Sequence, residues 1–526
     1  MRSAFLRHCF FQNFAQNPCA ILVQNRHFAC FWLFFVDKMP GKRLPYIQEL
    51  SNRLLNKLTG QKEEPLYPER GAGVNDNKKG PSVMNIIGLD IGTTSISAAW
   101  LDTESGQVKK TYTVANKGFI DTDLEWERIQ NAELITDRAL ELMEEIRITC
   151  PKIDVIGLTG QMHGILYVDE SGKSVSPLYT WQDGRGGLAE NGKSLCQELG
   201  EKHGKAFYTG YGLVTHIYNM RHHLVPAEAA SFCTIMDYLG MKLTGRKRPL
   251  VHSSNAASFG FYDLAGKTFD KELLKEEGVD TDLLPEITSS VEILGSYKGI
   301  PVTIAIGDNQ ASFIGSMKKV REDILINMGT GGQISMYSDQ ILTGDDIETR
   351  PLLDNGYIVV GSTLCGGRAY ALLADFFKMF SKEIDAEIDP YAVMDQMLKN
   401  YQGKDHLQIN TAFDGSRDHP EQRGSITNLT TKNFTPAALT YGVLDGIAEE
   451  MFTRYQTMLA GQKSGHIRMI GSGNGMRRNP HLQNVFIQKF GMELELSDLA
   501  EEAACGAALA GSTAISEQTW QELIGV

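Results

Sequence analysis

One pattern occurs twice in this 526-residue chain and constrains its fold more than any other. Residues 85–100 read NIIGLDIGTTSISAAW: an apolar run, a Gly-Thr turn, and a second apolar run. Residues 324–336, ILINMGTGGQISM, repeat the plan. Apolar, β-branched runs on either side of a Gly-containing turn predict strand–turn–strand. Gly92-Thr93 and Gly329-Thr330 fall at equivalent places, so the chain is expected to hold two domains of similar plan, beginning near 85 and near 320.

Helical patterns alternate with the strands. Ala132, Ile135, Ala139, Leu142, Met143 and Ile146 lie on one face at helical spacing, and a strand, Val155-Ile-Gly-Leu-Thr159, follows. Thr435-Pro436 is an N-cap and first-turn pair for a helix carrying Leu439, Val443, Ile447 and Met451. Asn479-Pro480 opens another, closed by Gly491. The class is α/β.

Residues 1–84 are different. The first 36 contain Arg2, Arg7 and Arg26 but no acid, and end in an aromatic run, 28–36, too short to span a bilayer. A targeting leader would need a small-residue cleavage site, which is missing; a start at Met39 or Met84 is the preferred reading. Residues 60–84 are polar and rich in Gly and Pro, as a linker would be. The expected division is 1–84 leader and linker, 85–318 first domain, 319–526 second domain. A net charge of −13 argues against nucleic acid or an anionic membrane as the main partner. Eight scattered Cys without a CxxC pair fit a reducing, cytoplasmic setting.

Several polar stretches interrupt this frame. Each Gly-Thr turn can aim backbone N–H groups and a hydroxyl at phosphate oxygens, or can simply be a hairpin turn. No GxxxxGK[ST] sequence is present, which excludes a P-loop. Asp90, just before the first turn, can hold Mg²⁺ through water or cap the turn. A Gly-rich stretch, Gly471-Ser-Gly-Asn-Gly-Met-Arg-Arg-Asn-Pro480, offers bare backbone to a nucleoside, or is an ordinary loop. The small-residue helix 503–511 allows close packing on that loop, on a ligand, or in the core. Thr159-Gly-Gln-Met-His-Gly164 and Thr180-Trp-Gln-Asp-Gly-Arg185 gather Gln, His, Asp and Arg beside Trp, the chemistry of a sugar site. Equally, His163 can be a satisfied core histidine, and Asp183 with Arg185 an ion pair. Finally, VTIAIGDNQAS at 302–312 ends an apolar strand on Gly307 and a bare acid, Asp308. Alone, that reads as a turn or cap.

In order, GLDIGTTS, GQMHG, TWQDGR, IAIGDNQAS, NMGTGG, GSGNGMRRN and EEAACGAAL resemble the signature of the FGGY carbohydrate kinases, from about Asn85 to Gly511. GQMHG places the likeness on the ketose side of that family, and TWQDGRG, TGYG (209–212), IMDYL (235–239) and SSNAASFGFYD (253–263) narrow it within that side. The resemblance implies two actin-like, RNase H-like ATPase domains with an active-site cleft between them. It implies transfer of phosphate from ATP to the terminal primary hydroxyl of a ketose, with sedoheptulose the first candidate and D-xylulose the second. Asp308 would be the catalytic base. Gln161, Met162, His163, Asp183, Asp237, Asn255 and Asp308 would bind the sugar. Thr93 and Thr94, with Gly329, Thr330 and Gly331, would grip the phosphates of ATP; Gly471, Gly473 and Asn474 would line the adenosine pocket. Mg²⁺ would sit near Asp90. GSGNG departs from the three-glycine run common in the family, and residues 1–84 have no counterpart in it. Sugar and ATP are the expected partners, without nucleic acid or membrane, and a homodimer is compatible with all of this. A catalytically silent sugar sensor on the same fold is the non-enzyme alternative; it would be expected to lack Asp308 or a Gly-Thr turn. A protein-binding ATPase of the chaperone or actin type is disfavoured by the polar cluster around Gln161 and Trp181.

Overall fold

The computed structural model describes residues 84–516, except 103–106, 151, 354, 402, 404–405, 417, 461–464, 498 and 500. The leader and most of the linker therefore lie outside the described residues. Two six-stranded sheets organise the rest. The first uses β1 (Asn85–Ile91), β2 (Ser95–Asp102), β3 (Gln107–Ala115), β4 (Val155–Gly160), β5 (Ile293–Tyr297) and β6 (Ile300–Gly307). Its order is β5-β6-β4-β1-β2-β3. The second uses β7 (Asp323–Met328), β8 (Gly332–Ser338), β9 (Ile347–Pro351), β10 (Tyr357–Thr363), β11 (Arg468–Ser472) and β12 (Glu493–Leu496), in the order β9-β10-β8-β7-β11-β12.

The sheets share one plan. A central strand, β1 or β7, starts an antiparallel meander on one side and has two parallel strands on the other. They differ in the extra antiparallel edge strand: β5 flanks the parallel end of the first, and β9 the antiparallel end of the second. The repeated strand–Gly-Thr–strand segments are the β1–β2 and β7–β8 hairpins.

Helices follow from capping and periodicity: α1 (Ala132–Thr149), α2 (Ile235–Thr244), α3 (Ser253–Ser258), α4 (Asp308–Ser316), α5 (Gly367–Glu383), α6 (Pro436–Leu459), α7 (Gly473–Arg478), α8 (Pro480–Phe490) and α9 (Glu502–Thr513). Asn131 caps α1 by accepting from the Leu134 N–H, and the expected apolar face of α1 is buried. Thr435 caps α6 with Pro436 in its first turn. Asn479 caps α8, which ends on left-handed Gly491. The 473–478 stretch, read above as a loop, folds as the short helix α7. Its Gly-rich sequence hides that turn of helix from propensity reasoning.

The small-residue helix α9 belongs to the core. It lies across the first sheet, where a Cβ at Gly88 or Gly157 would collide with the carbonyl oxygens of Ala504 and Ala507. A Cβ at Gly506 would likewise strike the Ala311 carbonyl of α4. The chain thus leaves the second sheet and returns to cover the first. No helix among the described residues is long and apolar enough to cross a membrane.

Candidate active site

Register brings the chemistry together. On the first sheet, β1, β4 and β6 run parallel, with Asp90 and Ile306 both opposite Thr159. Their carboxyl ends therefore coincide, and each ends on one of the polar stretches: Gly92-Thr93-Thr94, Gln161-Met162-His163, and Gly307-Asp308. The carboxyl ends of parallel strands are where open α/β sheets bind ligands. The second sheet repeats this with β7 and β11, which end on Gly329-Thr330-Gly331 and Gly473-Asn474.

Asp308 opens α4, so its carboxylate sits in the first turn of a nine-residue helix. The strand end leading to it is tightly held. The Asn255 side-chain amide donates to the Ala305 carbonyl (3.0 Å), the Thr159 hydroxyl to the Ile306 carbonyl (2.8 Å), and the Gly307 N–H to Ser254 Oγ (2.9 Å). Burial pushes the Asp308 carboxyl up to about 6, against the lowering pull of the Asn309 N–H and the Arg350 charge. Asp90 is pushed to about 7 by burial first, then by the charges of Asp308 and Glu501. Its Oδ1 is buried without a hydrogen-bond partner.

A cavity of about 420 Å³ lies beside this strand end. The first half contributes Met162, His163, Tyr211 and Ser254 to its wall; the second contributes Glu348 and Arg350. Asp308 borders the cavity rather than forming its wall: Met162 packs on Gly307, and Ser254 bonds to it. His163 holds a left-handed backbone (φ 70°), donates its N–H to Ser258 Oγ (3.0 Å), and sets Nδ1 2.8 Å from the Ser258 carbonyl. Its ring stacks on Tyr211, 4.9 Å between centroids and 2° apart. A non-glycine residue in this conformation stores strain that its surroundings must hold.

The remaining expected sugar ligands are buried, and Asp237 Oδ1 and Asn255 Oδ1 have no hydrogen-bond partner. Gln161 is 3% exposed and belongs to a closed ring around the first turn. Trp181 Nε1 donates to Thr93 Oγ1 (3.0 Å), which donates to Gln161 Oε1 (3.2 Å). Gln161 Nε2 donates to Gln130 Oε1 (2.9 Å), and Gln130 Nε2 to the Thr93 carbonyl (2.8 Å). Asp183 is fully buried in a pair with Arg185, Oδ1 lying 2.6 Å from Nε. Asp237 is also buried; one oxygen caps α2 by accepting from the Thr234 hydroxyl (2.6 Å). Asn255 is fully buried, its amide bonded to the Ala305 carbonyl.

Thr94, Gly329, Thr330 and Asn474, the expected ATP contacts, are exposed. The second turn is pinned from behind: the Gly367 N–H donates to the Gly329 carbonyl (3.0 Å) and the Arg368 N–H to that of Thr330 (2.9 Å). Gly473 has φ +82° and sits against the Met328 carbonyl, where a side chain would not fit, so α7 starts directly beside the Gly329 turn. Gly471 is buried within β11, paired with Ile326 and Leu496, and supports the loop from below.

Sequence reasoning missed Arg350 and Tyr211. Arg350 pairs with Glu348 (2.7 Å), and its charge acts on both Tyr211 and Asp308. It comes from edge strand β9, whose sequence, IETRP, carries no motif. Tyr211 was in view as part of TGYG, but only the fold shows that it stacks on His163.

The sequence model for the N-terminal domain of the FGGY family of carbohydrate kinases matches residues 85–315, and that for the C-terminal domain matches 326–515. The sedoheptulokinase of Homo sapiens is 28% identical over 468 residues, 80% of this chain and 96% of its own. The gluconokinase of Bacillus subtilis is 25% identical over 459 residues, covering 81% and 86%. Among solved structures, xylulose kinase from Rhodospirillum rubrum superposes with a TM-score of 0.71 at 21% identity, covering 84% of this chain and 92% of that one. Plasmodium falciparum glycerol kinase with ADP gives 0.68 at 18%, over 84% and 92%. The fold is the actin-like, RNase H-like ATPase fold in two sheet-rich domains. This chain belongs to the FGGY family of carbohydrate kinases and is a sugar kinase.

Proposed function

We propose that this protein transfers the γ-phosphoryl group of ATP to the terminal primary hydroxyl of a ketose, foremost sedoheptulose, giving sedoheptulose 7-phosphate. D-xylulose is the second candidate. The observation carrying the mechanism is Asp308, a carboxylate with its pKa near 6 at the carboxyl end of β6, bordering a cavity walled by both halves. The likeness to the sedoheptulokinase of Homo sapiens supports the substrate.

A sugar hydroxyl is a weak nucleophile. Asp308, mostly ionised at neutral pH, accepts the hydroxyl proton as the new O–P bond forms and the bond to the ADP oxygen breaks. Met162, His163 and Tyr211 seat the sugar, with Gln161, Asp183, Asp237 and Asn255 acting behind them. Thr93 and Thr94 face Gly329, Thr330 and Gly331 across the phosphates, and Gly473 with Asn474 receives the nucleoside above Gly471. Residues 85–318 thus supply the sugar site and base, and 319–526 the ATP site.

The unpartnered Oδ1 of Asp90, with the Asp308 and Glu501 charges nearby, fits a cation. Among the described residues no group of three or more His, Cys, Asp or Glu is arranged to hold a metal, so other oxygens must complete its shell. Mg²⁺ takes one or two carboxylates together with phosphates, and would neutralise developing charge on them. The free thiols of Cys150, Cys196, Cys233, Cys365 and Cys505 suit the cytoplasm.

The test is ADP release by the purified chain with Mg²⁺ and a panel of sedoheptulose, xylulose, ribulose, fructose and glycerol. Fast turnover on one ketose names the substrate. Tight ATP binding without turnover on any sugar removes the reading.

A further inference from the structure

Strand β9 carries Glu348 and Arg350 on one face, two residues apart, with buried Thr349 turned to the other. Thr349 is anchored there: its hydroxyl donates to the Leu342 carbonyl (2.7 Å) and accepts from the Leu342 N–H (3.0 Å). One residue beyond Arg350, the Pro351 carbonyl accepts from Gln310 Nε2 (2.9 Å). Gln310 is fully buried and stands two positions after Asp308 in the first turn of α4. A side-chain bond next to Arg350 thus ties the second sheet to the helix that opens on Asp308.

These ties set Glu348 and Arg350 in the cavity wall, to which the first half contributes the stacked rings of His163 and Tyr211. Only 13% of the Arg350 side chain is exposed, so its pair with Glu348 is no ordinary surface ion pair. Its charge acts on Tyr211 as well as on Asp308. Arg350 Nη2 donates to Glu348 Oε2 (2.7 Å). A guanidinium carries more donors than that bond uses, and a carboxylate accepts at both oxygens. Side by side they offer what neighbouring sugar hydroxyls need: donors for the oxygens and an acceptor for the protons. Aromatic rings suit the C–H face of the same molecule. Among the charged side chains of the wall, Asp346, Glu348 and Asp418 outnumber Lys205 and Arg350. That balance favours a neutral polyol over a sugar acid or a sugar phosphate.

We infer that Glu348 and Arg350 are specificity-determining residues, gripping adjacent hydroxyls of a neutral ketose from the second sheet while His163 and Tyr211 hold its other side. The inference rests on the ketose-kinase reading above, and adds that both halves of the chain select the sugar.

The test is calorimetric titration of sedoheptulose, D-xylulose and D-gluconate into the purified chain, for wild type, Arg350→Met, Arg350→Lys and Glu348→Gln, with circular dichroism to verify folding. Arg350→Met should weaken ketose binding about 10–100-fold, the scale of a lost hydrogen bond to a charged group, while the Kd for ATP holds. Arg350→Lys should recover only part, because a point charge lacks the planar fork. If Arg350→Met does not fold, Glu348→Gln at its exposed position decides by the same reading, with a loss of about tenfold. Single-deoxy ketoses locate the contact: removing the gripped hydroxyl should weaken binding to wild type but not to Arg350→Met. Wild-type ketose affinity in the folded variants overturns the inference and leaves the kinase reading standing. So do losses that simply add for every deoxy sugar, or tighter binding of D-gluconate than of either ketose. A wild type that neither binds nor phosphorylates a ketose removes the proposed function and this inference together.

Discussion

The carboxylate of Asp308 lies close enough to Asp90 to raise its proton affinity, although the two residues are more than two hundred positions apart in the chain. They stand at the ends of strands that flank β4 on either side, and Asp90 and Ile306 share Thr159 as neighbour. Two buried acids at one strand end repel when both are ionised. A cation beside Asp90 would relieve that repulsion, as the proposed mechanism requires.

The pH dependence of turnover follows from Asp308. On the proposed mechanism its carboxyl must be unprotonated to accept the sugar proton, and burial pushes it up to about 6. The rate, measured as kcat/KM for the sugar, should rise with pH through that value and level off above it. Asp308→Asn should lower kcat by about 10²–10⁴-fold without abolishing nucleotide binding, because the amide keeps the shape and loses the basicity. A variant that retains full rate would place the base elsewhere.

Asp90→Asn should act on the metal rather than the sugar. The Mg²⁺ concentration giving half-maximal rate is expected to increase about tenfold, the scale of losing a charged partner around a bound ion. The KM for the sugar should stay near the wild-type value. A Mg²⁺ titration at saturating nucleotide reads this directly.

Asp237 predicts a stability effect. Burial lifts its carboxyl to about 7 in the folded chain, against an ordinary 3.8. A raised acid favours folding fully only below its unfolded value, and that contribution disappears as pH climbs through the folded value. Wild-type stability from this group should therefore decline between about pH 4 and 7. Asp237→Asn can still accept a cap bond from Thr234 and should flatten the decline, gaining about 1–3 kcal/mol over wild type at pH 8. Urea unfolding at pH 5 and pH 8 separates the two.

For Asp183 and Arg185 the expected outcome is lost stability. Both are essentially solvent-free, and Arg185 also reaches Asn219 Oδ1 at 2.5 Å. Arg185→Met leaves the Asp183 carboxylate buried without its cation and should cost about 3–5 kcal/mol. Folded Asp183→Asn enzyme should retain a near-normal KM for the sugar. A large rise in KM without lost stability would make Asp183 a direct sugar ligand.

Gly506→Ala tests the helix that returns to the first sheet. The added methyl meets the Ala311 backbone carbonyl, which cannot rotate away. Overpacking should destabilise the fold by about 1–3 kcal/mol and, because α4 begins at Asp308, lower activity as well. Thermal unfolding and turnover measured on the same preparation check both effects.

The sequence alone determined what depends on local order along the chain. The strand–Gly-Thr–strand repeat announced two sheets of one plan because a turn and its flanking strands are encoded within a few residues. Helix caps at Thr435 and Asn479 were legible for the same reason. Only the tertiary structure decided how polar side chains are used. Gln161, Asp183 and Asp237 look like sugar ligands in sequence, and the fold buries all three, setting Gln161 against Thr93 and Gln130, Asp183 against Arg185, and one oxygen of Asp237 against Thr234. Arg350 carries no local signal and gains its place because β9 of the second sheet brings its charge to bear on Asp308. Burial and partner geometry are set by segments far apart in sequence, and they alone fix how buried and how paired each carboxylate is.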